Sequence, residues 1–223
     1  MAYDREEFYG DILGGLAAWF DSPAIADIAK TVGRFDEPDL GVALNRNQVT
    51  SKLWLAGALR ASAGSRFGTI TVLGGWFGVL GAILLRDPRL TIGKVVSVDI
   101  DPRCAAVAES MNATHAREGR FVAQTADMRT LDYPTPSPDR DVAPDVLVNT
   151  SCEHIVGFDD WYARLPDRTL LVLQSNDYTR IADHVNCVTD LDHFQRQAPM
   201  RELLFCGMQP HKRYRRFMLI GRK

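Results

Sequence analysis

From Thr69 onward, short β-branched runs alternate with stretches whose apolar residues recur every three to four positions. The pattern predicts strands near 69–73, 95–99, 120–124, 145–149 and 168–174, and helices near 77–86, 102–116 and 158–164. Strands separated by helices pair in parallel through right-handed crossovers, so a doubly wound, mostly parallel α/β sheet is expected. The end of the chain reads differently: 202–208, a turn at Gln209-Pro210-His211, and 214–221 form an antiparallel hairpin, which completes seven strands. Residues 1–66 read as a helical extension that covers the 67–223 domain. Phe8, Ile12, Leu16, Trp19 and Phe20 fall at helical spacing there, and 23–29 and 47–61 are two further helices.

One stretch admits a second reading. Nineteen uncharged residues separate Arg66 from Arg86, about the length that spans a bilayer. Their internal order argues against a span. Thr69-Ile70-Thr71-Val72-Leu73 is strand-like, Gly74-Gly75 breaks the run, and the segment from Val79 to Leu85 resumes as a helix.

Composition fits one globular domain: 223 residues, 46% hydrophobic and 24% charged. A net charge of -2 provides no general attraction to nucleic acid or to an anionic membrane. The first seven residues resemble neither a signal nor a transit peptide. Cys104, Cys152, Cys187 and Cys206 are scattered without a C-x-x-C pair, as expected for reduced thiols in a cytoplasm.

In doubly wound sheets the ligand sits beyond the carboxyl ends of the strands. Four such ends carry chemistry here. The first gives Gly74-Gly75-Trp76-Phe77-Gly78, a turn that lets backbone approach a ligand. The second ends in Asp99-Ile100-Asp101-Pro102; Asp101 before a proline is a helix N-cap, which leaves Asp99 to accept from a ribose diol. The third delivers Ala126-Asp127-Met128 and the fourth Asn149-Thr150-Ser151-Cys152-Glu153-His154.

In this order the chain resembles the class I S-adenosylmethionine-dependent methyltransferases, from about Thr69 to Lys223. The resemblance implies that Gly74, Gly75, Trp76 and Gly78 face the methionine part of S-adenosylmethionine. It also implies that Asp99 holds the ribose, and Asp127, with Met128 beside the ring, the adenine. Two departures stand out: Gly74 occupies the place of the family's usual acid, and the glycine spacing is G-G-x-x-G. The fourth-strand end also lacks the Asn/Asp-Pro-Pro-aromatic signature of amino-directed nucleic-acid methyltransferases. A nicotinamide oxidoreductase, the rival within dinucleotide folds, would need G-x-G-x-x-G.

The expected activity is methyl transfer to a small polar metabolite. Transfer of the aminocarboxypropyl arm of the same cofactor, or a non-catalytic cofactor-binding module, are the alternatives. Methyl transfer needs an aligned nucleophile and a base only for a protonated acceptor. His154 is the expected base, with Glu153 and Asn149 beside it, and Cys152, Asp177 and Tyr178 are expected substrate contacts. Asn47, Gln48 and Lys52 are candidate polar contacts from the helical cover. His184, Cys187, Asp190, Asp192 and His193 include possible metal ligands, but their spacing fits no standard zinc pattern and no metal is expected. The basic stretch His211-Lys212-Arg213-Tyr214-Arg215-Arg216 could contact RNA or be a solvated strand end; a small-molecule partner is favoured over nucleic acid, and no membrane is expected.

Overall fold

The computed structural model describes residues 5–137, 139 and 142–223, without the side chains of residues 5–7. The first four residues, part of the segment read as no leader, lie outside this range.

Seven strands form one sheet: β1 Arg66–Leu73, β2 Thr91–Asp99, β3 Phe121–Thr125, β4 Val146–Asn149, β5 Leu170–Asn176, β6 Glu202–Pro210 and β7 Arg215–Arg222. Their order is β3-β2-β1-β4-β5-β7-β6. The first five are parallel, and β7 inserts antiparallel between β5 and β6. The sheet reverses direction of winding between β1 and β4, the switch point at which such folds open a crevice. The α/β sheet and closing hairpin thus agree with the sequence.

β4 and β5 are buried along their whole length, as parallel strands covered on both faces must be. Alternation sorts their side chains. Val146, Val148, Leu170 and Val172 join Ile70 and Val95 on one face. Leu147, Leu171 and Leu173 join Leu73 and Leu219 on the other. The first face is covered by α4 (Arg46–Ala63), α5 (Val79–Arg86) and α6 (Pro102–Met111). The second is covered by α8 (Phe158–Arg164) and α9 (Leu191–Gln197).

The 66–86 stretch is β1, a turn and α5, and among the described residues no helix is long and apolar enough to cross a membrane. The helix expected over 102–116 is broken at Asn112 into α6 and α7 (Ala113–Arg117), because the Asn112 amide donates to the carbonyls of Ala108 and Gly78. At the start of the chain lie α1 (Arg5–Trp19), α2 (Pro23–Arg34) and the short α3 (Leu40–Ala43). α2 is tied down by a buried ion pair, Arg86 Nη2 to Asp27 Oδ2 at 2.6 Å. α4 is more than a lid, since Leu55, Ala56 and Leu59 are core residues shared with the sheet.

Candidate active site

A cleft of about 840 Å³ opens above the carboxyl ends of β1 to β5, within the range of small-ligand sites. Gly74, Gly75 and Trp76 from β1, Asp99 from β2, Asp127 and Met128 from β3, and Asn149 from β4 all line it. So do Glu153, His154 and Tyr178, and, from α4, Asn47, Gln48 and Lys52. Topology accounts for this convergence, because parallel strands deliver every carboxyl end to the same edge.

The glycine turn is shaped by its neighbours. Gly74 and Gly78 have φ of +66° and +74°, and Trp76 between them takes φ +48° although it carries a side chain. The turn is pinned from β2: the Trp76 amide donates to Asp99 Oδ2 at 2.8 Å, while the Asp101 amide donates to Oδ1 at 3.0 Å. A carboxylate has about four acceptor positions, so Asp99 retains two for a diol. Asp101 caps α6 by accepting from Arg103 N, as read from the sequence. Ile100, 63% exposed on the cleft wall, and Met128 offer apolar surface suited to a flat ring. Asp127 is held below the usual carboxylate range by Arg129, whose guanidinium lies 2.7 Å away.

Three expected contacts lie elsewhere. Gly78 does not line the cleft; a Cβ there would stand 2.7 Å from Asn112 Nδ2 and 3.0 Å from Ala108 Cβ, so its glycine answers to packing against α6. Cys152 is fully buried among Ile155, Phe158 and Leu173, and burial pushes its thiol well above the ordinary value, which removes it as a substrate contact. Asp177 is spent on the hairpin, accepting at 2.7 Å from both the amide and Nε of Arg215. Asp190 and His193, read as possible ligands, instead cap α9, where Asp190 Oδ1 accepts from His193 N.

Beyond β4 the chain makes a single 3₁₀ turn, Cys152–His154, that aims Glu153 inward. Glu153, 2% exposed, accepts at Oε1 from Asn176 Nδ2 and lies 3.6 Å from Arg216 Nη2. Arg216 belongs to the basic stretch, yet it is 6% exposed, lines the cleft and donates to Thr150 O at 2.9 Å. Lys52, 8% exposed, donates to Gln48 Oε1 at 2.7 Å; burial, aided by Arg216 and opposed by Glu153, lowers its ammonium to about 7. His154 meets His184 edge-on, ring centres 4.5 Å apart, and burial holds its imidazole below the ordinary value, with His184 adding to and Glu153 opposing the shift. Sequence reasoning assigned no cleft role to Arg216, Asn176 or His184. The polar run Gln174-Ser175-Asn176 ending a wholly buried strand is the signal that could have found the second of these.

A buried lysine whose ammonium sits near 7 costs stability. Lys52→Met is expected to stabilise the fold by about 1–4 kcal/mol at pH 7, read from urea denaturation. The unfolded lysine binds its proton up to about 10.5 and the folded one only to about 7, so the parent gains stability as pH rises between those values and the variant loses that gain.

No protein-family model matches the sequence, and no curated protein matches it. Solved structures do. The N-methyltransferase NodS from Bradyrhizobium japonicum WM9 superposes with a TM-score of 0.56 at 15% identity, covering 80% of this chain and 95% of that one. Magnesium protoporphyrin IX methyltransferase (ChlM) from Synechocystis PCC 6803, determined with bound S-adenosylmethionine, gives 0.56 at 12% identity over 99% of this chain and 98% of that one. The [4+2]-cyclase SpnF gives 0.58 at 10% identity, over 79% and 82%. The chain therefore has the Rossmann-like fold of the class I S-adenosylmethionine-dependent methyltransferases.

Proposed function

We propose that the protein is an S-adenosylmethionine-dependent methyltransferase acting on a small polar metabolite. The observation that carries this reading is the Asp99 carboxylate, fixed by the Trp76 and Asp101 amides at the mouth of the cleft with two acceptor positions left over. In this reading Asp99 holds the ribose, Ile100 and Met128 sandwich the adenine, and Asp127 accepts from its amino group. Gly74, where an added Cβ would meet nothing nearer than Ser151 at 3.8 Å, leaves room for the methionine portion, and Lys52 with Gln48 receives its carboxylate in place of any side chain from the turn.

When bound, the sulfonium supplies a methyl group with a neutral thioether as its leaving group. The chain's own task is to place the acceptor in line at near 3 Å and to keep water out. The acceptor's place in this reading is beside Asn149, His154 and Tyr178, next to the Glu153–His154–His184 cluster. The cleft's volume of about 840 Å³ and the inward turn of Arg216 favour a small molecule over a nucleic acid.

Incubation with S-adenosylmethionine and fractionated small metabolites tests the reaction: S-adenosylhomocysteine is the expected product. Methylthioadenosine would instead establish aminocarboxypropyl transfer, and neither product would leave a binding module.

Two binding predictions follow from the same placement. Asp99→Ala removes two charge-assisted hydrogen bonds and frees the Trp76 turn, so affinity for S-adenosylhomocysteine should fall about tenfold or more in calorimetry. Lys52→Met should weaken S-adenosylhomocysteine but leave adenosine, which lacks the carboxylate, unaffected.

A further inference from the structure

Glu153, His154 and His184 each direct one ligand-type atom toward a common point, all within 4.8 Å of one another. They come from two separate segments, the 3₁₀ turn after β4 and the loop before α9, so no local sequence spacing announces them. Three details distinguish this cluster from incidental proximity. Glu153 Oε1 is occupied by Asn176 and Arg216, whereas Oε2 is buried without a hydrogen-bond partner, an expensive state for a carboxylate oxygen. His184 Nδ1 lies 2.6 Å from the carbonyl oxygen of Tyr178, which fixes Nδ1 as the protonated nitrogen and leaves Nε2 as a lone-pair donor. His154 packs edge-on against the His184 ring, with centres 4.5 Å apart, which sets the two imidazoles side by side. The backbone carbonyl behind His184 is the outer support that metal-ligating histidines ordinarily have.

We infer that Glu153, His154 and His184 bind one divalent transition-metal ion on the acceptor side of the cleft. Ligands ~2.1 Å from a tetrahedral ion lie ~3.4 Å apart, so atoms up to 4.8 Å apart need to close by ~1 Å, which a small rotation of His154 at the cleft surface can supply. Two imidazoles and one carboxylate suit zinc, cobalt or iron rather than magnesium or calcium, which prefer all-oxygen shells. Three protein ligands leave a coordination position open toward the cleft. Arg216 engages the other oxygen of Glu153, Oε1, at 3.6 Å and leaves Oε2 without a partner.

The use of the ion rests on the proposed reaction: it would orient a hydroxyl-bearing acceptor and lower the pKa of that hydroxyl, whose proton passes to water. The site itself does not depend on that reading. The test is titration of untagged, chelator-treated protein with Co(II), followed by visible absorption, and with Zn(II) in competition with a chromophoric chelator. One ion per chain, a cobalt d–d band, and at least about 100-fold weaker binding in both His184→Ala and Glu153→Gln are expected. His154→Ala serves as a third variant should the buried Glu153→Gln lose its fold by circular dichroism. No stoichiometric binding by the parent, or binding that survives these substitutions, would overturn the inference. S-adenosylhomocysteine binding, measured separately, shows whether the cofactor reading fails with it or stands alone.

Discussion

His154→Asn should leave S-adenosylhomocysteine affinity unchanged and lower turnover by about 10²-fold or more, as expected when a group that accepts or positions a reacting proton is removed. The pH profile gives the sharper readout. Burial holds the His154 imidazole below its ordinary value of 6.5, so the parent's rate should persist below that pH before falling as the ring becomes charged. The sign is the same whether His154 takes the proton or ligates an ion, because protonation abolishes both. The variant should lack this acid limb. Single-turnover transfer to the acceptor found by product analysis, followed from pH 5 to 8, measures both effects; parental rate and profile in the variant would reduce His154 to a structural residue.

Gly78→Val carries the largest expected cost to the fold. At φ +74° a β-branched residue is strained by about 1–3 kcal/mol, and its Cβ would be driven against Asn112 and Ala108, adding about 1–3 more. A loss of about 3 kcal/mol or more should lower the melting temperature by about 6–12 °C in a chain of this size. Asn112 also bonds to the Gly78 carbonyl at 3.0 Å, so its displacement would loosen the glycine turn and weaken cofactor binding indirectly. Scanning calorimetry reports the first effect. Gly75→Val is a useful contrast: its Cβ would fall 2.0 Å from Ser97 Oγ, again a clash within the sheet rather than with a ligand.

These glycines show what a sequence conveys and what it withholds. That the run from Arg66 to Arg86 is strand, turn and helix was legible, because a β-branched segment, two glycines and a helical segment differ in intrinsic preference. The carboxyl ends of four parallel strands were likewise legible as the site, and with them Asp99, Asp127, Asn149 and His154 as cleft residues. The direction of a missing side chain is not written in a glycine, so Gly78 was read as facing a ligand when it faces α6. Cys152 and Asp177 were misplaced for a related reason. At the end of a strand, alternate residues point into the cleft or into the core, and the 3₁₀ turn after β4 shifts that alternation for Cys152 and Glu153. Arg216 looked solvated within a basic run, but on β7, paired with β5, it turns inward toward Glu153. His184 and Glu153 lie 31 positions apart, and only the return of the chain over the cleft brings them together. Asn112 broke a helix whose apolar periodicity continues through it.

The central claim is that the cleft above β1 to β4 is built for S-adenosylmethionine. Isothermal titration of the parent protein with S-adenosylhomocysteine tests it most directly. One molecule bound per chain, with affinity diminished about tenfold or more in Asp99→Ala, is the result expected. Absence of binding by a folded parent protein, or binding indifferent to Asp99, would contradict the assignment of this cleft to the cofactor.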